Sequence, residues 1–322
     1  MATRRVIIAR CFTTGLFVAA ALVGDRLLAL VADRIVVVSQ FRLSQLYAGK
    51  VDADITIFGN SRAVHSLFSP RLAELTCRKT FNAAYNGFSS AAMALTFQDY
   101  LEHNRAPKFA LFEISAGAQL HDPSTVELKT YANLSERLSR FYSEVDPRYP
   151  YWRRLSRLYL FDTELFLRCI YYLRRDDQDW IIQGRQITPD LIRGYRSRSE
   201  DLDELPVATA ALQRILAAAA AAGVRPIFFV APYHRVVFER NPDADRLVAD
   251  ETRALGGKAP VLNFARALDA DADFADPIHL NKSGSYHLID RMLQTGEGRQ
   301  LRACNESPGA SGTPSLDASR RD

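Results

Sequence analysis

The chain has 322 residues and carries 41 Lys and Arg residues against 37 Asp and Glu residues, a net charge of +4. This length supports one large α/β domain with insertions or two smaller domains. The basic excess is too mild to indicate nucleic acid as a partner, and no basic segment carries a nucleic-acid recognition motif. The charge instead suits contact with an anionic surface, such as phospholipid head groups or an acidic polymer.

The N-terminal segment is typical of a membrane anchor. Arg4, Arg5 and Arg10 precede a run of 14 uncharged residues at positions 11–24. A full span needs about 20 apolar residues, and Val6–Ala9 extend the run if the Arg10 side chain snorkels to the interface. No good small-x-small cleavage site follows. We therefore predict an uncleaved signal anchor, continued by a connecting helix, over residues 1–48.

The arginines ahead of the anchor predict its orientation. Positively charged flanks stay in the cytoplasm, so we expect a single N-terminal pass through the inner, cytoplasmic membrane. The chain after about Asp25 would then lie in the periplasm or an equivalent extracytoplasmic space. The alternative is an amphipathic soluble helix that continues through Leu27 to Val38, in a protein that stays in the cytoplasm.

A serine follows the first predicted strand. Ile55–Phe58 is a short apolar run that stops at Gly59 and turns through Asn60 to Ser61, ahead of a helix-like segment. A strand-to-helix turn holds a serine hydroxyl above the sheet edge, where the amides of the following helix face a developing oxyanion. Ser61 is therefore a candidate nucleophile. The alternative is a serine that caps a helix.

Four further predicted strands alternate with helices. They are the stretch Lys79–Phe88, which ends in the Asn86–Gly87 turn, followed by Lys108–Ile114, Arg225–Ala231 and Ala259–Phe264. This alternation predicts an α/β fold with a doubly wound, mostly parallel five-stranded sheet. We place the α/β domain at residues 49–295, with a mostly helical insertion at 119–205. The Gly, Ser, Pro and charge content of residues 296–322 indicates a disordered tail.

The insertion is rich in arginine and aromatic residues, with leucines near helical spacing. This composition suits a cap that faces the membrane or binds a polymer, and it equally suits a solvated helical pair with a buried stripe.

The cysteines define neither a disulfide framework nor a metal site. They are Cys11, Cys77, Cys169 and Cys304, with no CxxC pair and no His/Cys cluster at metal spacing. We therefore predict no metal and no cofactor. A single bridge from Cys77 to Cys169 stays open if the domain lies in an oxidising compartment.

Asp276 and His279 offer Ser61 the partners that a nucleophilic serine needs. Serine is a weak nucleophile, so it requires a general base and usually a third group that orients the base. A separation of three residues lets both side chains face the same way. The carboxylate can then hold one imidazole nitrogen while the other nitrogen reaches Ser61.

Two more residues are candidates for substrate binding. Arg62 could hold an anionic group of the substrate, or could pair with a surface carboxylate. His234 follows the fourth predicted strand, where strand ends open on a crevice, and could bind substrate or be a structural histidine.

These motifs resemble those of the SGNH or GDSL-like hydrolase superfamily, above all its membrane-anchored cell-envelope branches, such as the teichoic-acid D-alanyl transfer protein and the alginate-type O-acetyltransferases. The matching residues are Gly59-Asn60-Ser61, Asn86-Gly87 and Asp276-Pro277-Ile278-His279-Leu280-Asn281. The resemblance spans roughly Asp52 to Leu293, apart from the insertion. It implies a nucleophile at Ser61, a base at His279 and an orienting acid at Asp276.

The resemblance also implies an oxyanion hole made of the Ser61 amide, the Gly87 amide and a side-chain amide. The asparagine that usually follows the third strand in the family is missing, because Phe112-Glu113-Ile114-Ser115 occupies that place. A carboxylate there would repel an oxyanion. Among the substitutes Asn86, Asn82 and Ser115, we rank Asn86 first because it adjoins Gly87.

The sequence therefore leads to three hypotheses. The first is an extracytoplasmic serine acyl-ester hydrolase or O-acyltransferase that acts on a cell-envelope or secreted polysaccharide, with a membrane acyl-donor protein as a candidate partner. The second is a non-catalytic binding or assembly component of an envelope complex, motivated by Glu113. The third is a soluble cytoplasmic esterase.

Overall fold

Five parallel strands form the centre of the structure, a computed structural model that describes residues 2–115, 127–178, 183–196, 205–253 and 255–304. The strand order is β2-β1-β3-β4-β5, and every pairing is parallel. The strands are β1 (Ile55–Phe58), β2 (Thr80–Asn82), β3 (Phe109–Glu113), β4 (Arg225–Val230) and β5 (Val261–Asn263). The predicted α/β class with a five-stranded sheet is confirmed.

The two central strands β1 and β3 are buried at every position, as expected for parallel strands covered by helices on both faces. The chain moves from β1 outward to β2 and then returns to β3 on the other side of β1. The strand order therefore changes direction between β1 and β3. Crevices that bind ligands in open parallel sheets form at such a point, beyond the carboxyl ends of the strands.

Fourteen α-helices lie in the described residues. They are α1 (Ala2–Val38), α2 (Arg42–Tyr47), α3 (Ser61–Ser66), α4 (Ser69–Thr76), α5 (Ser90–His103), α6 (Glu136–Val145), α7 (Tyr149–Leu155), α8 (Thr163–Tyr171), α9 (Pro189–Gly194), α10 (Leu205–Ala221), α11 (Arg235–Arg240), α12 (Ala244–Arg253), α13 (Lys282–Met292) and α14 (Gly296–Arg299). Short 3₁₀ turns cover Leu128–Tyr131, Leu158–Leu160 and Asp271–Asp273.

The predicted anchor and the first part of its connecting segment form one continuous helix, α1. Its portion Arg10–Val38 has a mean hydropathy of 1.9 in its most apolar window and is long and apolar enough to cross a membrane. The C-terminal part of α1 packs on the domain, because Ala29, Ala32 and Val36 are buried there. The helix α2 then leads into β1.

The described part of the predicted insertion is largely helical, with α6 to α9 and two of the 3₁₀ turns; residues 119–126, 179–182 and 197–204 of that prediction lie outside the described residues. A buried ion pair ties it to the domain, since the Arg42 guanidinium lies 2.8 Å from the Asp177 carboxylate. The same guanidinium donates to the Ala84 carbonyl beyond β2. The insertion is thereby fixed to the sheet end that carries the site.

The structure corrects two expectations about the cysteines and the tail. Cys77 forms a disulfide with Cys304, and not with Cys169. Cys169 is instead buried in α8, 3.4 Å from the Ser44 hydroxyl. Residues 296–304, predicted as disordered, contain α14 and the buried Leu301. One leucine and one disulfide fix a segment whose composition gave no such signal; residues 305–322 lie outside the described residues.

Candidate active site

The turn from β1 to α3 places Ser61 at the carboxyl end of β1, an interior strand of the sheet. Gly59 has a φ of +145° there, and a Cβ atom on it would lie 2.7 Å from the Ala63 Cβ and 2.9 Å from the Glu113 Cβ. Only glycine fits this position. The Asn60 side chain then accepts a hydrogen bond from the Arg62 amide at 2.9 Å and caps α3. Ser61 therefore begins the helix with its hydroxyl at the sheet edge.

The loop before α13 holds Asp276 and His279 in one tight turn. The Ala275 amide donates to the His279 carbonyl at 2.9 Å, and the Asp276 carboxylate accepts from the amides of Ile278 and His279, both at 3.0 Å. The Asn281 side chain caps α13 by accepting from the Gly284 amide. These bonds are local, so a short stretch of sequence is enough to define the loop.

A contact between α13 and the end of α3 aligns this loop with Ser61. The Ser285 hydroxyl donates to the Ser66 carbonyl and accepts from the Phe68 amide, each at 3.0 Å. Ser285 is fully buried. Because His279 precedes α13 and Ser61 begins α3, this contact fixes the distance between their side chains.

The three predicted catalytic residues meet in a hydrogen-bonded chain. The His279 Nε2 lies 2.8 Å from the Ser61 Oγ, and the His279 Nδ1 lies 2.9 Å from the Asp276 Oδ2. With Nδ1–H donating to the carboxylate, Nε2 carries the lone pair that accepts the Ser61 hydroxyl proton. The arrangement is that of a nucleophile, a general base and the acid that orients the base.

The Asp276 carboxyl is held in its ionised form. Burial alone would raise its pKa, but the hydrogen bond and charge interaction with His279 and the bonds from the Ile278 and His279 amides outweigh burial and lower the pKa below its usual range. A carboxylate stays available to stabilise the imidazolium that forms when His279 takes a proton.

His65 lies beside this chain of residues, with its ring centroid 5.4 Å from that of His279 and its ring planes at 77°. Burial, and then the positive charges of His279 and Arg42, lower the pKa of His65 to about 3. His65 is thus neutral at physiological pH. When His279 takes a proton, His65 therefore places no second positive charge beside it.

The predicted oxyanion donors occupy the same edge of the sheet. Ser61 is the first residue of α3, and the backbone amide at this position of a helix has no acceptor within the helix. Asn86 and Gly87 follow β2, the neighbour of β1, and Gly87 has a φ of +76°. The Asn86 Oδ1 is buried and has no hydrogen-bond partner among the described residues. The assignment of these three residues to an oxyanion hole stays a prediction.

Glu113 and Arg62 neutralise each other beside Ser61. The Glu113 carboxylate is fully buried at the end of β3, accepts from the Ser115 hydroxyl and from the Ala231 amide, and lies 3.8 Å from the Arg62 Nε. The Arg62 guanidinium donates to the Ala231 carbonyl and lies 3.3 Å from the Tyr233 ring centroid. The charge that would repel an oxyanion is therefore offset by a cation, a pairing that sequence alone left open.

His234 is buried, and both of its ring nitrogens contact groups of the protein. Nδ1 accepts from the Val236 amide at 3.3 Å and caps α11, while Nε2 lies 3.0 Å from the Asp271 carboxylate. Its backbone amide donates to the Pro277 carbonyl at 2.9 Å, which steadies the loop of Asp276 and His279. The structural alternative fits this geometry, and the substrate-binding role stays a prediction.

A cavity of about 530 Å³ opens beside Ser61. Arg62 lines it, whereas His234, Asn86 and Gly87 do not belong to its described lining, and the substrate-binding role of Arg62 stays a prediction. Sequence reasoning missed most of the wall, because α11 and α12 contribute side chains whose orientation depends on tertiary packing. The missed residues are Tyr195, Arg196, Tyr233, Val237, Phe238, Asn241, Ala244, Leu247, Val248, Glu251 and Ile278.

Comparison of the sequence with protein-family models and with curated proteins finds no match. The resemblance to the SGNH superfamily therefore rests on the three short motifs alone and stays a prediction.

Proposed function

We propose that the protein is an extracytoplasmic serine acyl-ester hydrolase or O-acyltransferase that acts on a cell-envelope or secreted polysaccharide. The observation that carries the proposal is the hydrogen-bonded chain from the Ser61 Oγ through the His279 imidazole to the Asp276 carboxylate. This arrangement is what a serine needs in order to attack an acyl carbonyl. The SGNH-like motifs support the same chemistry by resemblance.

In the proposed first half-reaction, His279 Nε2 takes the Ser61 proton as Oγ attacks the acyl carbonyl carbon. The tetrahedral oxyanion collapses with cleavage of the bond to the leaving alcohol, which takes the proton from His279. The product is an ester of Ser61. In the second half-reaction, water or a sugar hydroxyl attacks this ester with His279 again as base, which regenerates Ser61. A water acceptor gives a hydrolase, and a sugar acceptor gives a transferase.

Two features support the proposed location. The helix α1 is long and apolar enough to cross a membrane, and the arginines before it favour a cytoplasmic N-terminus. The Cys77–Cys304 disulfide fits an oxidising compartment such as the periplasm. In this setting the proposed partners are the inner membrane, a polysaccharide and a membrane protein that donates acyl groups.

The test is labelling of the full-length protein with a serine-directed fluorophosphonate, followed by mapping of the modified residue. We expect modification of Ser61 in the parent and none in Ser61→Ala. The matched control is Ser115→Ala, because Ser115 also lines the cavity and its hydroxyl donates to the Glu113 carboxylate; this variant should still be modified at Ser61. Equal labelling of the parent and Ser61→Ala would overturn the assignment of the nucleophile.

A second candidate function is a non-catalytic binding component of an envelope complex. The observation behind it is Glu113, a buried carboxylate at the place where the family would have an oxyanion donor. This candidate predicts that the parent neither reacts with the fluorophosphonate nor cleaves p-nitrophenyl acetate. It also predicts that Ser61→Ala binds acylated polysaccharide as tightly as the parent.

A further inference from the structure

The helix α1 carries two charged residues inside a long apolar surface. Large apolar side chains are exposed on both sides of Asp25 and Arg26, from Phe12 (73 % exposed) to Val31 (59 % exposed). Residues 11–31 amount to 21 helical positions, or about 31 Å at 1.5 Å per residue, which matches a hydrocarbon core of about 30 Å. If α1 spans a membrane over this length, Asp25 and Arg26 lie within its outer part.

Charged side chains at that depth need polar partners from the protein, and α7 with the turn after it supplies them. The Asp25 carboxylate accepts from the Ser156 hydroxyl at 2.5 Å and from the Arg157 amide at 2.8 Å. The Arg26 guanidinium donates to the carbonyls of Arg154 and Leu155, at 2.6 and 2.9 Å. Asp25 and Arg26 are thus both bonded to one short segment of the insertion.

The outer surface of this segment is suited to lipid. Four apolar or aromatic side chains of Tyr149–Leu158 are exposed, namely Tyr151 (63 %), Trp152 (40 %), Leu155 (44 %) and Leu158 (37 %). Tyr and Trp concentrate where the hydrocarbon core meets the head groups. Arginines 154 and 157 are exposed among them and suit the phosphates of anionic lipids.

We propose that Tyr149–Leu158, which we name the collar segment, inserts into the membrane beside α1, from the outer part of the hydrocarbon core to the lipid head groups, in the leaflet from which the domain emerges. Its backbone and Ser156 complete the bonding of Asp25 and Arg26, while Tyr151, Trp152, Leu155 and Leu158 contact lipid. The inference depends on α1 spanning the membrane and is independent of the chemistry at Ser61. Because the collar segment is hydrogen-bonded to α1, it lies next to any membrane that α1 spans. We therefore assign its exposed apolar surface to a bilayer and not to a second protein.

The chain offers a direct probe, because its two tryptophans are Trp152 and Trp180. In full-length Trp180→Phe, reconstituted into phosphatidylcholine and phosphatidylglycerol vesicles, Trp152 is the only reporter. We expect lipids brominated near the head-group end of the acyl chain to quench most of its emission. Aqueous iodide is expected to quench it little.

Two further single-tryptophan proteins, built on Trp152→Phe/Trp180→Phe, serve as controls. Phe17→Trp reports on the middle of α1 and should be quenched by the brominated lipids. Tyr171→Trp is the matched control in the insertion, because Tyr171 is 57 % exposed and its neighbour Tyr172 bonds to Gln40, beyond the end of α1. Val38, the last residue of α1, lies about 20 Å along the helix axis from Asp25, so this tryptophan should be quenched by iodide and not by lipid.

Each other outcome would overturn the inference in a distinguishable way. Quenching of the Phe17→Trp protein without quenching of Trp152 would leave α1 as an anchor and remove the collar segment from the membrane. A Trp152 protected from both quenchers would indicate a protein partner or a second copy. Lack of lipid quenching at position 17 would contradict the membrane span itself, and equal lipid quenching at positions 152 and 171 would indicate a domain that adsorbs without a defined depth.

Discussion

Of the three histidine–aspartate pairs in the described residues, His279–Asp276 and His234–Asp271 differ in what the second ring nitrogen contacts. His279 bonds to Asp276 through Nδ1 at 2.9 Å, and its Nε2 reaches the Ser61 hydroxyl. His234 bonds to Asp271 through Nε2 at 3.0 Å, and its Nδ1 accepts from the Val236 amide. In the first pair the remaining nitrogen faces the Ser61 hydroxyl, and in the second it caps a helix.

The hydrogen bonds require opposite tautomers of the two neutral rings. Because an amide can only donate, the His234 Nδ1 must be the acceptor, so its proton lies on Nε2 and faces Asp271. In His279 the proton on Nδ1 faces Asp276, and the lone pair on Nε2 faces Ser61. An aspartate near a histidine is therefore weak evidence of a catalytic base. The partner of the second nitrogen decides whether the ring can move a proton.

The sharpest test of this contrast is to replace each histidine by glutamine. His279→Gln removes the base, so we expect the rate of fluorophosphonate labelling at Ser61 to fall about 10³- to 10⁴-fold, at the upper end of general-base contributions. His234→Gln should keep the labelling rate within a factor of about three, since its ring takes no part in proton transfer. The measurement is the second-order labelling rate at pH 7.5.

His234→Gln should instead reduce stability. The ring is fully buried, and loss of its bonds to Asp271 and to the Val236 amide costs about 1–3 kcal/mol, measured as a lower midpoint of thermal unfolding. A large loss of labelling in His234→Gln at unchanged stability would contradict the structural role and favour substrate binding.

A smaller difference is expected between the two aspartates. Asp276→Asn keeps the shape of the side chain but loses the charge that fixes the His279 tautomer, so labelling should slow, but by less than when the base itself is lost. Asp271→Asn is the matched control, because it alters the same kind of bond at His234. Equal labelling rates in the two variants would show that Asp276 does not orient the base.

The sequence predicted the strands β1 and β3 and the loop of Asp276 and His279 because both depend on neighbouring residues. The apolar run Lys108–Ile114 contains β3, and the Asp276 turn closes through its own amides. The glycine before Asn60 marked the turn at Ser61, where the structure leaves no space for a Cβ atom.

Features that depend on distant pairs escaped prediction. The Cys77–Cys304 bridge joins residues 227 positions apart, and nothing in the spacing of four cysteines selects that pair. The ion pair between Arg62 and Glu113 likewise requires α3 and β3 to be side by side. The apolar cavity wall from α11 and α12 was missed because helical periodicity identifies an apolar face without showing which cavity it borders.

The smallest expected effect is on the pH dependence of stability, and it comes from His65. Its pKa falls from about 6.5 in the unfolded chain to about 3 in the folded protein, first because of burial and then because of the charge on His279. At pH values between these two pKa values, His65 binds a proton in the unfolded chain and not in the folded chain. The protonation of His65 therefore leaves the free energy of unfolding unchanged above about pH 6.5 and lowers it as the pH falls further. At pH 5 the loss is about 2 kcal/mol, from 1.5 pH units at 1.36 kcal/mol each.

We expect the unfolding midpoint of His65→Gln in detergent to change less between pH 7.5 and pH 5 than that of the parent. Asp276 does not confound this range, since its pKa lies below the usual value for aspartate. Equal changes in both proteins would mean that His65 takes up its proton without unfolding, and that a positive charge beside His279 is tolerated.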